Sequence, residues 1–262
     1  MPLLYTNALP YQGTAKHPQA VFLIHGLFGS GDNLTSLGKY LSKNFQVYLV
    51  DIFNHGQSPR MDSMNYRQHA RAFLETMNEL GVNDGYLVGH SMGGKLAMAS
   101  ALLAPERITK LVVADMSPVR YQHAHKQEFA GLNSVQLDQI SNRRDADTQL
   151  AQYIDNSGVR QFLLKSLKRE GPRWRWQFDI ANLQAHYNDI IDWPFEQERF
   201  AGPTLFIKGQ LSSYIQLTYQ NAIVSQFPNA QIKIIAQAGH WLHAEKPQLF
   251  NRLVNQFFMP EN

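Results

Sequence analysis

The stretch YLVGHSMGGKLAMASALL, Tyr86 to Leu103, decides how the rest of this chain is read. A short apolar run ends in Gly89-His90-Ser91-Met92-Gly93, and a helix-prone run follows. That is a strand, a sharp turn and a helix, with G-x-S-x-G at the turn. So sharp a turn has no room for nearby Cβ atoms, and glycine at 89 and 93 removes them. Ser91 is then held above the end of a strand, at the first turn of a helix. The N–H groups there have no intrahelical acceptor and carry the positive end of the helix dipole. A developing oxyanion would find donors among them. The pentapeptide alone also fits a tight turn without chemistry, so its surroundings carry the inference.

Upstream, residues 20–24, AVFLI, read as a short buried strand. They lead into the glycine-rich loop His25-Gly26-Leu27-Phe28-Gly29-Ser30-Gly31. The loop lacks the lysine-serine ending of a phosphate-binding loop, and G-x-G-x-x-G is absent. It suits the second half of an oxyanion hole instead. One backbone donor follows the nucleophile, Met92, and the other comes from this loop, Leu27 in preference to Phe28. His25 reads as a structural histidine bonding its own loop. Leu34, Leu37 and Leu41 recur at helical spacing, and QVYLV at 46–50 is a second strand. Asp51 and His55 beyond it read as fasteners of a turn rather than as catalysts. From Asn65 to Leu80 one apolar stripe predicts an amphipathic helix, with Gly81 as its C-cap. Residues 110–114, KLVVA, are a further strand with Asp115 at its end. Strands that alternate with helices predict a doubly wound, mostly parallel α/β sheet. Sites in such sheets lie beyond the carboxyl ends of the strands, where Ser91 and Asp115 both fall.

Composition narrows the function classes. The chain has 262 residues, an apolar fraction of 44% and a net charge of +3. That charge is too small and too dispersed to make nucleic acid the expected partner. No apolar run reaches the ~18 residues that a membrane span requires. The N-terminal MPLLYTNALPYQ lacks the basic and apolar regions of a secretion signal. There is no cysteine, hence no disulfide framework and no thiolate metal site. The expectation is a cytoplasmic protein, a monomer or small homo-oligomer, acting on a small molecule.

From Pro118 the α/β alternation stops, and it returns at Pro203 with TLFIKG, then QIKII at 231–235. The expected organisation is a core of residues 1–117 and 197–262 with a helical cap inserted over 118–196. Helical patches such as Val159 to Leu167 lie in the cap. Between Arg160 and Arg175 it carries six basic residues against one acid, Glu170. A solvated helix face explains them. The functional alternative is a substrate rim, formed by Lys165, Lys168, Arg169 and Trp174, for an anionic leaving group such as coenzyme A.

A serine hydroxyl needs an adjacent base, usually histidine. His240 follows the last strand in the glycine-hinged Gly239-His240-Trp241 and is the best candidate. His243 reads as loop or surface, and the His90 side chain as pointing away from the reacting centre. The base needs a carboxylate to fix its tautomer, in the chain order Ser, Asp or Glu, His. The loop after TLFIK reads Gly209-Gln210-Leu211-Ser212-Ser213-Tyr214, and no Asp or Glu occurs from Arg199 through Ala244. Asp115 satisfies both order and geometry.

Together, His25-Gly26, Asp51 with His55-Gly56 and Ser58, Gly89-His90-Ser91-Met92-Gly93-Gly94 and Gly239-His240-Trp241 resemble the α/β-hydrolase superfamily. The resemblance covers most of the chain outside the cap. Asp115-Met116-Ser117-Pro118 with an acid-free Gly209 loop resembles the bacterial YbfF-type esterases. It implies hydrolysis of short acyl esters and of acyl-CoA thioesters by a Ser91, Asp115 and His240 triad, with no metal or organic cofactor. Carbon–carbon bond hydrolases and cofactor-free perhydrolases use the same triad and stay open. So does a non-catalytic ligand-binding protein on the same scaffold.

Overall fold

The computed structural model describes residues 2–259. Its strands are β1 (Thr6–Ala8), β2 (Ala20–Ile24), β3 (Gln46–Val50), β4 (Gly85–His90), β5 (Ile108–Ala114), β6 (Leu167–Glu170), β7 (Arg173–Trp176), β8 (Thr204–Gly209) and β9 (Ala230–Ile235). Seven of them form one sheet in the order β1-β3-β2-β4-β5-β8-β9. Every pair is parallel except β1 with β3 at one edge. The chain therefore winds outward in both directions from the neighbouring pair β2 and β4. The crevice at their carboxyl ends is where such sheets bind ligands.

The central strands are continuous apolar runs because both faces are covered. Phe22, Ile24, Leu87, Leu111 and Val113 pack in one layer with α2 (Tyr66–Glu79) and α3 (Met92–Leu103). Val21, Leu23, Val88, Val112 and Ile207 pack in the other with α1 (Thr35–Leu41) and α11 (Pro247–Phe258). The Asn65 side chain accepts from the Arg67 and Gln68 N–H groups at the start of α2, and Gly81 follows its end at φ +68°. That satisfies orphan donors at one end and uses glycine's freedom at the other. The helix α3 is buried all round from Met92 to Leu102, Lys95 and Ser100 included, as a helix between sheet and α2 must be.

Between β5 and β8 the chain leaves the sheet. It forms α4 (Lys126–Ser134), α5 (Arg143–Leu150), α6 (Ser157–Lys165), the β6–β7 hairpin, α7 (Ile180–Ala185) and α8 (Tyr187–Ile191). The hairpin differs from the helical texture expected there. The helix α6 stops at Lys165, and Gly171, at φ +57°, with Pro172 closes a two-residue turn between Glu170 and Arg173. From Leu167 the side chains follow a period of two, which buries Trp176 opposite Leu167. The chain then returns through β8, α9 (Gln220–Gln226), β9 and α10 (Leu242–Glu245) to α11. Among the described residues no helix is long and apolar enough to cross a membrane.

Candidate active site

Ser91 lies between β4 and α3 with φ +53° and ψ −121°. A non-glycine residue rarely holds such a conformation, and it persists only where its surroundings over-determine it. Here the constraint is close packing of backbone on backbone. A Cβ on Gly89 would lie 2.2 Å from the Gly93 carbonyl oxygen, and one on Gly93 2.3 Å from that of His25. Both glycines are therefore demanded by contact.

The structure brings Ser91, His240 and Asp115 together. The Ser91 hydroxyl lies 2.9 Å from His240 Nε2, and His240 Nδ1 lies 2.8 Å from Asp115 Oδ2. Asp115 is fully buried at the end of β5. Its Oδ1 accepts from Gly209 N at 3.0 Å, and its Oδ2 also accepts from the Ser212 hydroxyl. A carboxylate oxygen can only accept, so the imidazole faces it with Nδ1–H and leaves Nε2 to receive the serine proton. The last residue of β8 and the loop after it thus supply donors to a carboxylate at the end of the neighbouring strand. Ser212 was missed in the sequence, although its signal was present as a hydroxyl in the loop where a carboxylate is ordinarily expected. The ring of Tyr214 stacks on that of His240, centroids 4.0 Å apart. The Tyr214 carbonyl in turn accepts from the Tyr121 and Ser117 hydroxyls.

The amide groups of Leu27 and Met92 find no acceptor among the described residues. Phe28 N is already used, donating to His55 Nε2 at 3.1 Å. His55 Nδ1 donates to the Phe53 carbonyl, which leaves Nε2 as the acceptor. Asp51 accepts from Gly31 N and Gln57 N, and His25 Nε2 accepts from Ile52 N. All three are fasteners of the loops that carry Leu27. Burial holds the His25 and His55 rings below the usual imidazole range, so both stay neutral.

His90 and His243 need correction. The His90 ring does not point away from the site. Its Nε2 donates to the His240 carbonyl at 2.9 Å, and the two rings lie 4.8 Å apart. His243 is not at the surface but buried in α10, with its ring 4.4 Å from that of His90. Burial pushes the His243 ring down to about 3 and that of His90 well below its ordinary value. Both are neutral packing behind the base and add no charge to compete with its protonation.

Two cavities meet at Ser91. The larger, about 460 Å³, is walled by Met92, Met116, Tyr121, Tyr187, Ile190 and Tyr214 among others. Lys95 reaches it from α3, donating to the Ile191 and Asp192 carbonyls at 2.8 Å and facing the Tyr66 and Tyr121 rings. Burial lowers this ammonium to about 7. The smaller cavity, about 170 Å³, lies against His240, Trp241, Phe28 and Phe162. Lys165, Lys168, Arg169 and Trp174 line neither cavity. Lys168, Arg169 and Trp174 sit on the hairpin, where Trp174 packs with Arg143, and Lys165 ends α6. The rim expected of them is not a wall of either cavity. No cluster of three or more His, Cys, Asp or Glu suited to a metal occurs among the described residues.

The fold and this site define a class, and comparison with known proteins agrees. The chain belongs to the α/β-hydrolase fold family, whose model matches residues 19–247. It is 39% identical over 265 residues to the mouse protein named sn-1-specific diacylglycerol lipase ABHD11, covering 98% of this chain and 85% of that one. It is 39% identical over 238 residues to esterase YbfF of Escherichia coli strain K12, covering 90% and 92%. A solved structure described as a marine microorganism esterase superimposes with a TM-score of 0.92 at 34% identity, covering 98% of this chain and 100% of that one.

Proposed function

We propose that this protein is a serine carboxylic ester hydrolase working through Ser91, His240 and Asp115. One observation carries the proposal: an unbroken hydrogen-bonded relay from a strained serine hydroxyl through an imidazole to a buried carboxylate. His240 Nε2 takes the Ser91 proton as Oγ attacks the ester carbonyl. Leu27 N and Met92 N hold the tetrahedral oxyanion, each donor worth about 10²- to 10³-fold in rate. His240 then protonates the departing alcohol. Water, deprotonated by the same imidazole, releases the acid from the acyl-serine. Asp115 keeps the imidazole in the required tautomer and stabilises its charged form. No metal or organic cofactor enters these steps.

The excursion over residues 118–196 acts as a cap on a core of residues 1–117 and 197–262. The larger, mostly apolar cavity beneath it suits a short acyl chain. Acyl-CoA thioesters are the extension for which Lys165, Lys168 and Arg169 offer charge at the cap surface. If they serve it, an acyl-CoA will show a higher kcat/KM than the same acyl group on N-acetylcysteamine. Equal values would leave those residues as solvated charges.

The central test is hydrolysis of p-nitrophenyl acetate with Ser91→Ala as control, alongside labelling by a fluorophosphonate probe. Turnover and labelling are expected in the wild type, and neither in the variant. Failure of both in the folded wild type would favour a ligand-binding protein.

A further inference from the structure

We propose that His125 donates an Nε2–H hydrogen bond to the acyl part of the substrate, selecting acyl groups with an ether, hydroxyl or keto oxygen close to the scissile carbonyl. This rests on the ester hydrolase reading above and adds the substrate class. The two cavities share Leu27, Ser91, Ala124, His125 and Tyr214. The His125 ring bridges their walls. It meets Phe28, which lines only the smaller cavity, edge to face with centroids 6.3 Å apart. It meets Tyr187, which lines only the larger, in the same way at 5.7 Å. The ring thus stands at the junction, where an ester must place its carbonyl to be within reach of Ser91.

His125 directly precedes α4, but its side chain makes no capping bond to that helix. Its Nδ1 is bonded to the Tyr187 hydroxyl, which also accepts from Ala124 N at 3.3 Å. The phenol has no other acceptor among the described residues, so its hydrogen goes to Nδ1. The ring's own hydrogen is then on Nε2. Among the described residues the partnerless side-chain atoms sealed from solvent are Glu128 Oε2, Trp176 Nε1 and His243 Nδ1. His125 Nε2 also lacks a partner, yet it is not sealed, so a ligand can reach it. Desolvation lowers this ring to about 4, so it is a neutral donor near pH 7. A neutral N–H suits an uncharged oxygen, whereas an ammonium has no lone pair to offer it. A plain alkyl chain packed there would cover the N–H and leave it unpaired. Leu27 N and Met92 N already serve the oxyanion, which leaves His125 for a second oxygen. The phenol that fixes the ring belongs to the larger cavity, so that oxygen is on the acyl side.

The test compares ethyl methoxyacetate with ethyl butanoate, whose acyl groups match atom for atom except that an ether oxygen replaces one methylene. The ether oxygen activates the carbonyl in any enzyme, so the readout is the kcat/KM ratio of the two esters, wild type against variant. His125→Phe should lower that ratio about fivefold, the worth of one neutral hydrogen bond. His125→Gln, which still carries N–H donors, should keep most of it. Tyr187→Phe leaves the imidazole but frees its tautomer, and should lower the ratio part of the way. A fault confined to folding or to the chemical step would slow both esters alike and leave the ratio unchanged. A ratio unmoved by both His125→Phe and Tyr187→Phe would overturn the assignment while the hydrolase reading stood. So would a His125-dependent preference found only for 2-methoxyethyl acetate over butyl acetate, where the ether oxygen lies in the alcohol. No turnover of any of these esters by the folded wild type would overturn both readings.

Discussion

Ser212 donates its hydroxyl hydrogen to the same oxygen of Asp115, Oδ2, that receives His240 Nδ1–H. With Gly209 N on Oδ1, three donors hold a carboxylate that is wholly removed from solvent. The acid is thus fixed from the end of β8 and from the loops after β8 and β9, although its own strand supplies none of those donors.

Ser212→Ala removes one of the three. The expected result is a fall in kcat of about tenfold, the order of one hydrogen bond to a charged group, with KM little changed. Steady-state kinetics on p-nitrophenyl acetate check it. A loss as large as that of Asp115→Asn would mean that Ser212 does more than hold the carboxylate.

Asp115→Asn presents an amide to the imidazole and favours the wrong tautomer. The expected loss in kcat is about 10⁴-fold, with the melting temperature close to that of the wild type. Near-normal turnover would remove Asp115 from the relay.

Gly93→Ala places a Cβ where the His25 carbonyl oxygen already lies, 2.3 Å away. Backbone has to move, so stability should fall by about 1–3 kcal/mol, with activity lost alongside it. Urea denaturation and the acetate assay measure the two effects together. A wild-type midpoint would show that the elbow is looser than its contacts imply.

Five buried histidines, His25, His55, His69, His90 and His243, and the half-buried His125 have rings pushed down by desolvation, His69 and His125 to about 4. Unfolded, each titrates at its ordinary value of 6.5. Between that value and the folded ones the unfolded chain binds more protons, so stability is lost as the solution is acidified. The urea midpoint should drop steadily from pH 6.5 to pH 4, and a flat midpoint over that window would contradict their neutrality.

Lys95 titrates at about 7 in the fold against 10.5 when free. Desolvation outweighs the attraction of Asp192, and Arg120 adds repulsion. Between those values the unfolded chain again binds more protons, so this group's contribution to stability grows as pH rises from 7. The melting temperature of the wild type, relative to Lys95→Met, should therefore increase from pH 6 to pH 9. A constant difference would mean that the ammonium is not desolvated.

Much of this was legible in the sequence because it was written locally. The period of Asn65 to Leu80 and the unbroken runs of the strands each depend on near neighbours and on two covered faces. So does the glycine spacing around Ser91, whose clash distances show why no other residue serves at 89 or 93. Asp115 was readable by another route, the absence of any acid from 199 to 244. The β6–β7 hairpin was obscured because its charged residues hide a period of two in a run of only four residues per strand. His243 was misread because its burial comes from His90, far away in the chain. Lys95 showed only as one lysine in an apolar helix, and its partners, the Ile191 and Asp192 carbonyls, lie nearly a hundred residues on.

The main-chain ladder pairs His90 with Ala114, one residue short of Ser91 and Asp115 on each strand. The spacing between attacking oxygen and acid is thus set in the middle of the sheet. The imidazole arrives from beyond β9, the outermost strand, whose residues from Gln231 to Ile234 face solvent. Heating should therefore silence turnover before the molecule melts, with the border of the sheet yielding first and its centre still intact.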